Sequence, residues 1–312
     1  MNEENQVILL GNGFNYSLLD FVTENDDLKG EIESIINLWN EFDDLIKNIT
    51  TKFNLGSVEE AIGLIYKSFL ILKLTLKESE NLDYDECLPT LKKRYEDAIY
   101  QKVLKIIENF VSYEVSGIYR RLLSYLSKDP SPIELFGLNN SISGIYNLVR
   151  NNKISIYTTN YDALAEMVFS INENGMIKLP DMFKFCGDAR YVCFYEDDFF
   201  DQLDKPKFLH LHGSYKFFKY YEQEIKIKKE FIKSFIQDNK DYLIPVLIFN
   251  APSKKEQRIR SFRVLSNYNL SFMENISSSS KLIIWGQSLK SDPYLKQCIV
   301  DRFINKNNKS NN

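Results

Sequence analysis

The chain's two histidines, His210 and His212, stand two residues apart in Leu209-His210-Leu211-His212-Gly213-Ser214. Histidine is the side chain whose proton moves most readily near neutral pH, so this pair is a place for acid and base chemistry. Alternation along an extended strand would set both rings on one face, and Gly213 would let backbone or ligand come close. Two structural histidines at a strand end explain the same residues equally well. A further alternative takes Cys186, Cys193, His210 and His212 as zinc ligands, since thiolates and imidazoles together suit that metal. Six residues between the cysteines and a His-x-His pair match no common structural zinc spacing, so no metal is expected.

Three other clusters carry groups able to hold a ligand. Gly11-Asn12-Gly13 follows an apolar run, and its backbone N–H groups could face a pyrophosphate at the start of a helix. The third glycine of the dinucleotide fingerprint is missing, with Ser17 and Leu18 in that region, and a plain tight turn accounts for the pair as well. Thr158-Thr159-Asn160-Tyr161-Asp162 collects hydroxyls, an amide and a carboxylate, the natural partners of ribose hydroxyls. Alternatively Asn160 or Asp162 caps a helix carrying Leu164 and Met167. Trp285-Gly286-Gln287-Ser288-Leu289, followed by Asp292-Pro293, offers a glycine for close approach and a serine for a phosphate or ribose, or else a turn before a helix capped near Asp292.

These clusters sit at the ends of short apolar runs. Gln6 to Leu10, Ile154 to Tyr157, Phe208 to Leu211, Val246 to Phe249 and Leu282 to Trp285 read as buried strands separated by helical stretches, one of them from Ser141 to Val149. That pattern implies an α/β fold: one doubly wound, mostly parallel sheet, whose ligands bind beyond the carboxyl ends of the strands. From about Leu28 to Leu126 apolar residues recur instead at three- and four-residue spacing. Ile32, Ile35, Ile36 and Trp39 form one set, Ile62, Ile65, Phe69 and Leu72 a second, and Val103, Ile106, Ile107 and Phe110 a third. Ser127-Lys128-Asp129-Pro130-Ser131-Pro132 punctuates the end of this block. The expected organisation is an α/β domain from 1–27 and 127–304, a helical insertion at 28–126, and a frayed polar tail at 305–312.

A hydrophobic content of 44% supports a real core, and a net charge of -4 gives no general attraction to nucleic acid or anionic membrane. A local basic, aromatic run from Lys216 through Lys219, Lys226, Lys228 and Lys229 to Lys233 is the one place for nucleic-acid contact, or a solvated face whose aromatics pack inward. No apolar run is long enough to span a bilayer or serve as a signal peptide, and Cys87, Cys186, Cys193 and Cys298 show no disulfide framework. A cytoplasmic, reducing setting is therefore expected.

Taken in order, Gly11-Asn12-Gly13, Thr158-Thr159-Asn160-Tyr161-Asp162, Leu211-His212-Gly213 and Gly286-Gln287-Ser288-Leu289 resemble the sirtuin signature of a GAG-type loop, a TQNxD segment, an LHG histidine and a late GTSL-like turn. The chain departs from it at Asn12, Thr159 and Gln287, and Ser214 to Asp292 contains none of the cysteines of the zinc module of sirtuin deacylases. It thereby looks like the zinc-less, sirtuin-like NAD hydrolases of bacterial antiphage defence. The resemblance implies a Rossmann-like sheet that binds NAD as substrate, with no further cofactor and no zinc. It implies that His212 is the general base and Asn160 orients ribose and water, while Gly11, Asn12, Gly13, Asn15, Thr158, Asp162, Gly286 and Ser288 line the NAD site. His210 falls to a supporting role. It further implies homo-oligomerisation or a partner defence protein, and NAD depletion during abortive infection. The rival function is a non-catalytic module that senses NAD or an ADP-ribose derivative and switches a partner. A deacylase is disfavoured by the missing cysteines.

Overall fold

A computed structural model describes residues 6–22, 26–52, 101–115, 154–169, 171–172, 175–176, 180–197, 207–239, 242–248, 255–290 and 292–305. The buried apolar run Gln6–Leu10 forms strand β1, and Ile154–Thr158 forms β2. Two short strands, β3 (Ile171–Asn172) and β4 (Gly175–Met176), pair only with each other. Then follow β5 (Phe183–Phe185), β6 (Tyr191–Phe194), β7 (Phe208–His210), β8 (Gly213–Tyr220), β9 (Gln223–Ile227), β10 (Leu243–Leu247) and β11 (Lys281–Trp285). Strands β11, β1, β2 and β7, in that spatial order, make a four-stranded parallel sheet. Strands β10, β8, β9, β6 and β5 make a second, antiparallel sheet.

Both faces of the parallel sheet are covered. Along β1, Ile8 and Leu10 join one core while Val7 and Leu9 join the other, as strand alternation requires. The first core is closed by helix α1 (Gly13–Phe21) through Phe14 and Leu18, and by two long helices, α2 (Asp26–Lys52) and α3 (Gln101–Val115). Leu28, Ile32, Ile35 and Ile36 make the buried stripe of α2, and Ile106, Ile107, Phe110 and Val111 that of α3. The described helices of the 28–126 block therefore pack into the same core as the sheet. Helix α4 (Leu164–Phe169) completes this layer, and α5 (Ile232–Asn239) adds Phe235 and Ile236. The second core takes Ile259 from α6 (Lys255–Ser261), Val264, Leu265, Tyr268, Phe272 and Ile276 from α7 (Arg263–Ser278), and Leu295 and Ile299 from α8 (Pro293–Ile299).

The fold is mixed α/β, and it corrects the expectation of a single sheet. The run around Val246 does form a strand, but β10 pairs antiparallel with β8 and belongs to the second sheet. The expected helix at 141–149, the proline-rich break at 127–132, the apolar set from Ile62 to Leu72 and the tail beyond 305 lie outside the described residues. Two further expectations are revised. Cys186 and Cys193 are joined in a disulfide across the β5–β6 hairpin, so these cysteines are paired after all. Much of the basic, aromatic run becomes β8 and β9, where Phe217, Phe218, Lys216 and Lys226 are buried or nearly so. Among the described residues no helix is long and apolar enough to cross a membrane.

One tight turn carries the chain directly from the parallel sheet into the antiparallel one. β7 ends at His210, Leu211 and His212 turn the chain, and β8 begins at Gly213, which has φ +89. A β-carbon there would collide with the Val246 carbonyl oxygen of β10, so only glycine allows the crossing. Gly213→Ala is expected to cost about 3 kcal/mol or more in chemical denaturation; a change within about 0.5 kcal/mol would contradict this account of the turn.

Candidate functional site

At the carboxyl edge of the parallel sheet, the ends of β1, β2, β7 and β11 bring the sequence clusters together. The Gly11–Gly13 turn leaves β1 and meets the turn after β11. Gly11 N donates to Trp285 O and Gly13 N to Gly286 O, both at 2.9 Å. A β-carbon on Gly13 would come within 2.6 Å of Gly286 Cα, and Gly286 itself has φ +68. The glycines thus permit two turns of the same chain to touch. The N–H groups of Gly11 and Gly13 are committed to this contact, and the Gln287 side chain lies over Gly11, held there by a 2.5 Å hydrogen bond from Thr159 Oγ1. Gly286 and Ser288 are exposed on the outer side of the turn.

The exit of β2 builds a buried amide chain. Asn15, from the first turns of α1, donates from Nδ2 to Asp162 Oδ2 at 2.9 Å and accepts from Asn160 Nδ2 at 3.2 Å. Asp162 Oδ1 accepts from Leu164 N at 2.9 Å, capping α4, and Thr158 Oγ1 accepts from Asn160 N at 3.1 Å. Capping and side-chain positioning, weighed as rivals at Asp162, are both performed, one by each carboxylate oxygen. Asn160 Nδ2 is occupied, and Asn160 Oδ1 has no hydrogen-bond partner among the described residues.

The two histidines do not act as a pair. Because the strand stops at His210, the common face expected from alternation is not formed, and each ring meets its own carboxylate. His210 Nδ1 donates to the Asn160 carbonyl at 2.9 Å, and its Nε2 stands 3.7 Å from Glu166. Glu166 also pairs with Lys226 at 3.1 Å, which reaches Asp181 at 2.6 Å. Burial works against the Glu166 charge, yet Lys226, Lys216 and His210 hold its carboxyl well below the usual range. Burial likewise opposes the Lys226 ammonium, and Asp181 and Glu166 outweigh it and raise its pKa. His210 is thus the link between this internal charge network and the Asn160 backbone.

His212 Nε2 lies 3.3 Å from Asp292 Oδ2, and the ammonium of Lys255 bonds the same carboxylate oxygen. Asp292 Oδ1 accepts from Leu295 N at 3.1 Å and caps α8. All three side chains are buried, His212 at 4%, Lys255 and Asp292 at 1% exposure. Burial first, and the nearby Lys255 charge second, push the His212 pKa from 6.5 down to about 4, against the pull of Asp292. Burial opposes ionisation of Asp292, but His212 and Lys255 hold its carboxyl far below the usual range. The resulting charges are one carboxylate, one ammonium and a neutral imidazole able to accept a proton. Tyr161 flanks the ring and donates from its hydroxyl to the Ile248 carbonyl, while Ile248 N donates to His212 O at 2.8 Å.

Asp292 was legible only as a helix cap, and Lys255 not at all, since a lysine in Ser253-Lys254-Lys255-Glu256 reads as surface charge. Of the candidate zinc ligands, the two cysteines are bonded to each other and the two histidines face separate carboxylates. No group of three or more His, Cys, Asp or Glu placed to hold a metal occurs among the described residues. No protein-family model matches this chain, and no curated protein matches it.

The neutral histidine has a thermodynamic signature. Below about pH 6.5 the unfolded chain takes up a proton at His212 that the folded chain refuses until about pH 4. Stability should therefore fall as pH drops through that window, by up to about 3 kcal/mol. In His212→Gln that part of the loss should vanish from urea unfolding curves taken between pH 7 and 4. Equal pH slopes for the two proteins would refute a buried neutral His212.

Proposed function

We propose that the protein is an NAD hydrolase, releasing nicotinamide and ADP-ribose. The observation that carries this reading is the meeting, at one carboxyl edge of a parallel sheet, of a positioned Asn160 amide with a neutral, carboxylate-bound His212. Binding beyond the carboxyl ends of parallel strands is the general habit of such sheets, and this one would serve as a Rossmann-like nucleotide platform. The order of the four motifs, with its likeness to sirtuin-like NAD hydrolases, supplies the substrate.

In this reading the C1′–N bond to nicotinamide breaks with its electron pair leaving on the nicotinamide nitrogen, which neutralises the pyridinium. Positive charge develops on the ribose, and water adds to C1′ from the opposite face. His212 accepts the proton that the water, or a ribose hydroxyl, gives up, and returns it to solvent. Asn160 Oδ1 accepts from the ribose hydroxyl or the attacking water, with Asn15 and Asp162 holding the amide in place. Thr158 fixes the Asn160 backbone. The diphosphate lies against the Asn12 and Ser288 side of the turns, and Gln287 must swing away from Gly11 to admit it. Gly11, Gly13 and Gly286 contribute by letting the turns approach.

The helical layer built from α2 and α3 would provide contacts for further copies or a defence partner, and the biological outcome would be NAD depletion during phage infection. Both rest on the resemblance alone.

Nicotinamide release from NAD, measured with purified protein and in cells challenged with phage, tests the reading. His212→Ala and Asn160→Ala are expected to lower kcat on the order of 100-fold or more without lowering the melting temperature by more than a few degrees. Gln287→Ala is expected to lower KM. Full turnover by Asn160→Ala would overturn the site assignment, and NAD binding without cleavage under phage challenge would favour a sensor instead.

A further inference from the structure

We propose that Asp292 and Lys255 are positioning residues for His212: Asp292 accepts from Nε2 and thereby leaves Nδ1 as the nitrogen that faces substrate, and Lys255 locks Asp292 in that role. The proposal deepens the NAD-hydrolase reading and rests on it for its catalytic consequence, though the arrangement can be tested without turnover.

Three observations carry it. Asp292 Oδ2 accepts from Lys255 Nζ and lies 3.3 Å from His212 Nε2, so a proton on Nε2 is the state that this oxygen favours. Asp292 Oδ1 accepts from Leu295 N, which fixes the plane of the carboxylate with its other oxygen toward His212 and Lys255. His212 Nδ1, by contrast, makes no hydrogen bond among the described residues. A neutral imidazole protonated on Nε2 presents a lone pair on Nδ1, as a general base requires.

Lys255 adds a second effect. Its ammonium begins α6 and is buried against Asp292, with Cys298 and Tyr294 of α8 on the same side. The groups facing His212 are Asp292 from the start of α8, Lys255 from α6 and Tyr161 from the exit of β2. Without Lys255 the carboxylate would face only the histidine and would favour imidazolium, a cation with no lone pair left on Nδ1. With Lys255 present, Asp292 is already neutralised, and the ring stays neutral and ready to accept a proton. The same lysine keeps Asp292 ionised, so the carboxylate can only accept from His212.

Because the chain has two histidines, nitrogen-15 and carbon-13 NMR of the imidazoles reads the proposal directly, with His210 as the internal control and His212→Gln for assignment. In the unaltered protein His212 should be the Nε2-protonated tautomer and titrate near 4. Lys255→Met, close in shape to lysine, should raise its titration by about one unit or more, and Lys255→Arg should restore it. Asp292→Asn keeps an oxygen for the α8 cap but places an amide N–H before His212, so the proton should move to Nδ1. With NAD as substrate, Asp292→Asn should lose about 100-fold in kcat with little change in KM, and Lys255→Met should shift the acid limb of the pH profile upward. A merely structural role would lower activity equally at every pH and leave the tautomer alone.

An Nδ1-protonated His212 in the unaltered protein, or a titration unmoved by Lys255→Met, would overturn the proposal, as would full turnover by Asp292→Asn. If a variant fails to fold, the tautomer of the unaltered protein still decides. The expected tautomer and titrations in a protein that never cleaves NAD would sink the hydrolase reading and leave the positioning of His212 standing.

Discussion

Two buried carboxylates hold this molecule's functional edge together. Asp162 and Asp292 each give one oxygen to a helix N-terminus and the other to a side chain brought from a distant part of the chain, Asn15 in one case and His212 in the other. A buried carboxylate is costly unless its lone pairs are met by donors, and each here is met from both sides. At Asp292 the ammonium of Lys255 bonds the oxygen that His212 approaches, so this carboxylate keeps a charged partner of its own. The helix starts and the site residues are therefore tied to the same two carboxylates, α4 and Asn15 through Asp162, α8 and His212 through Asp292.

The second constraint is steric. The first glycine turn and the turn after β11 touch backbone to backbone, and Gly213 crosses Val246 where the chain passes from the parallel to the antiparallel sheet. Both contacts lie within the same edge. One sets how closely β11 can follow β1 out of the sheet, the other where His212 emerges after β7. Glycine at these places serves the folding of the edge first, and any ligand approaches through what those contacts leave open: the outer side at Gly286 and Ser288, with Gln287 lying over Gly11.

How much of this could be read from the sequence follows from the range of each interaction. The strands β1 and β2 were legible because short, largely apolar runs buried on both faces leave a local signature, while β11, the edge strand, shows the same apolar run although its residues are only partly buried or exposed; the polar exits of all three marked the carboxyl edge. β10 carries the same signature for a different reason: it is buried within the antiparallel sheet, and an apolar run does not say which way its neighbour runs. The run from Lys216 to Lys233 read as surface because its lysines are charged. Lys226 is buried only because Glu166 and Asp181, 60 and 45 residues away, neutralise it. Lys255 escaped notice in the same way, its partner Asp292 lying 37 residues on. Charge pairs formed across the fold leave no local trace.

That distinction bears on the two histidines. They looked equivalent because their spacing is the only local information about them, and the turn at Leu211-His212 is what separates their fates. His210 remains in the strand, where Nδ1 donates to the Asn160 carbonyl and Nε2 lies buried 3.7 Å from Glu166, beside a network of fixed charges and without a hydrogen-bond partner among the described residues. It holds the backbone of Asn160, and any change in its hydrogen bond would move that amide. His212 lies past the strand with one nitrogen held by Asp292 and the other unengaged among the described residues. A ring enclosed beside fixed charges and bonded to a backbone carbonyl positions its neighbours, whereas a neutral ring past the strand end can also receive a proton. The difference between a supporting and a reacting histidine is here a matter of surroundings, the Asn160 carbonyl and Glu166 for one ring, Asp292 and Lys255 for the other.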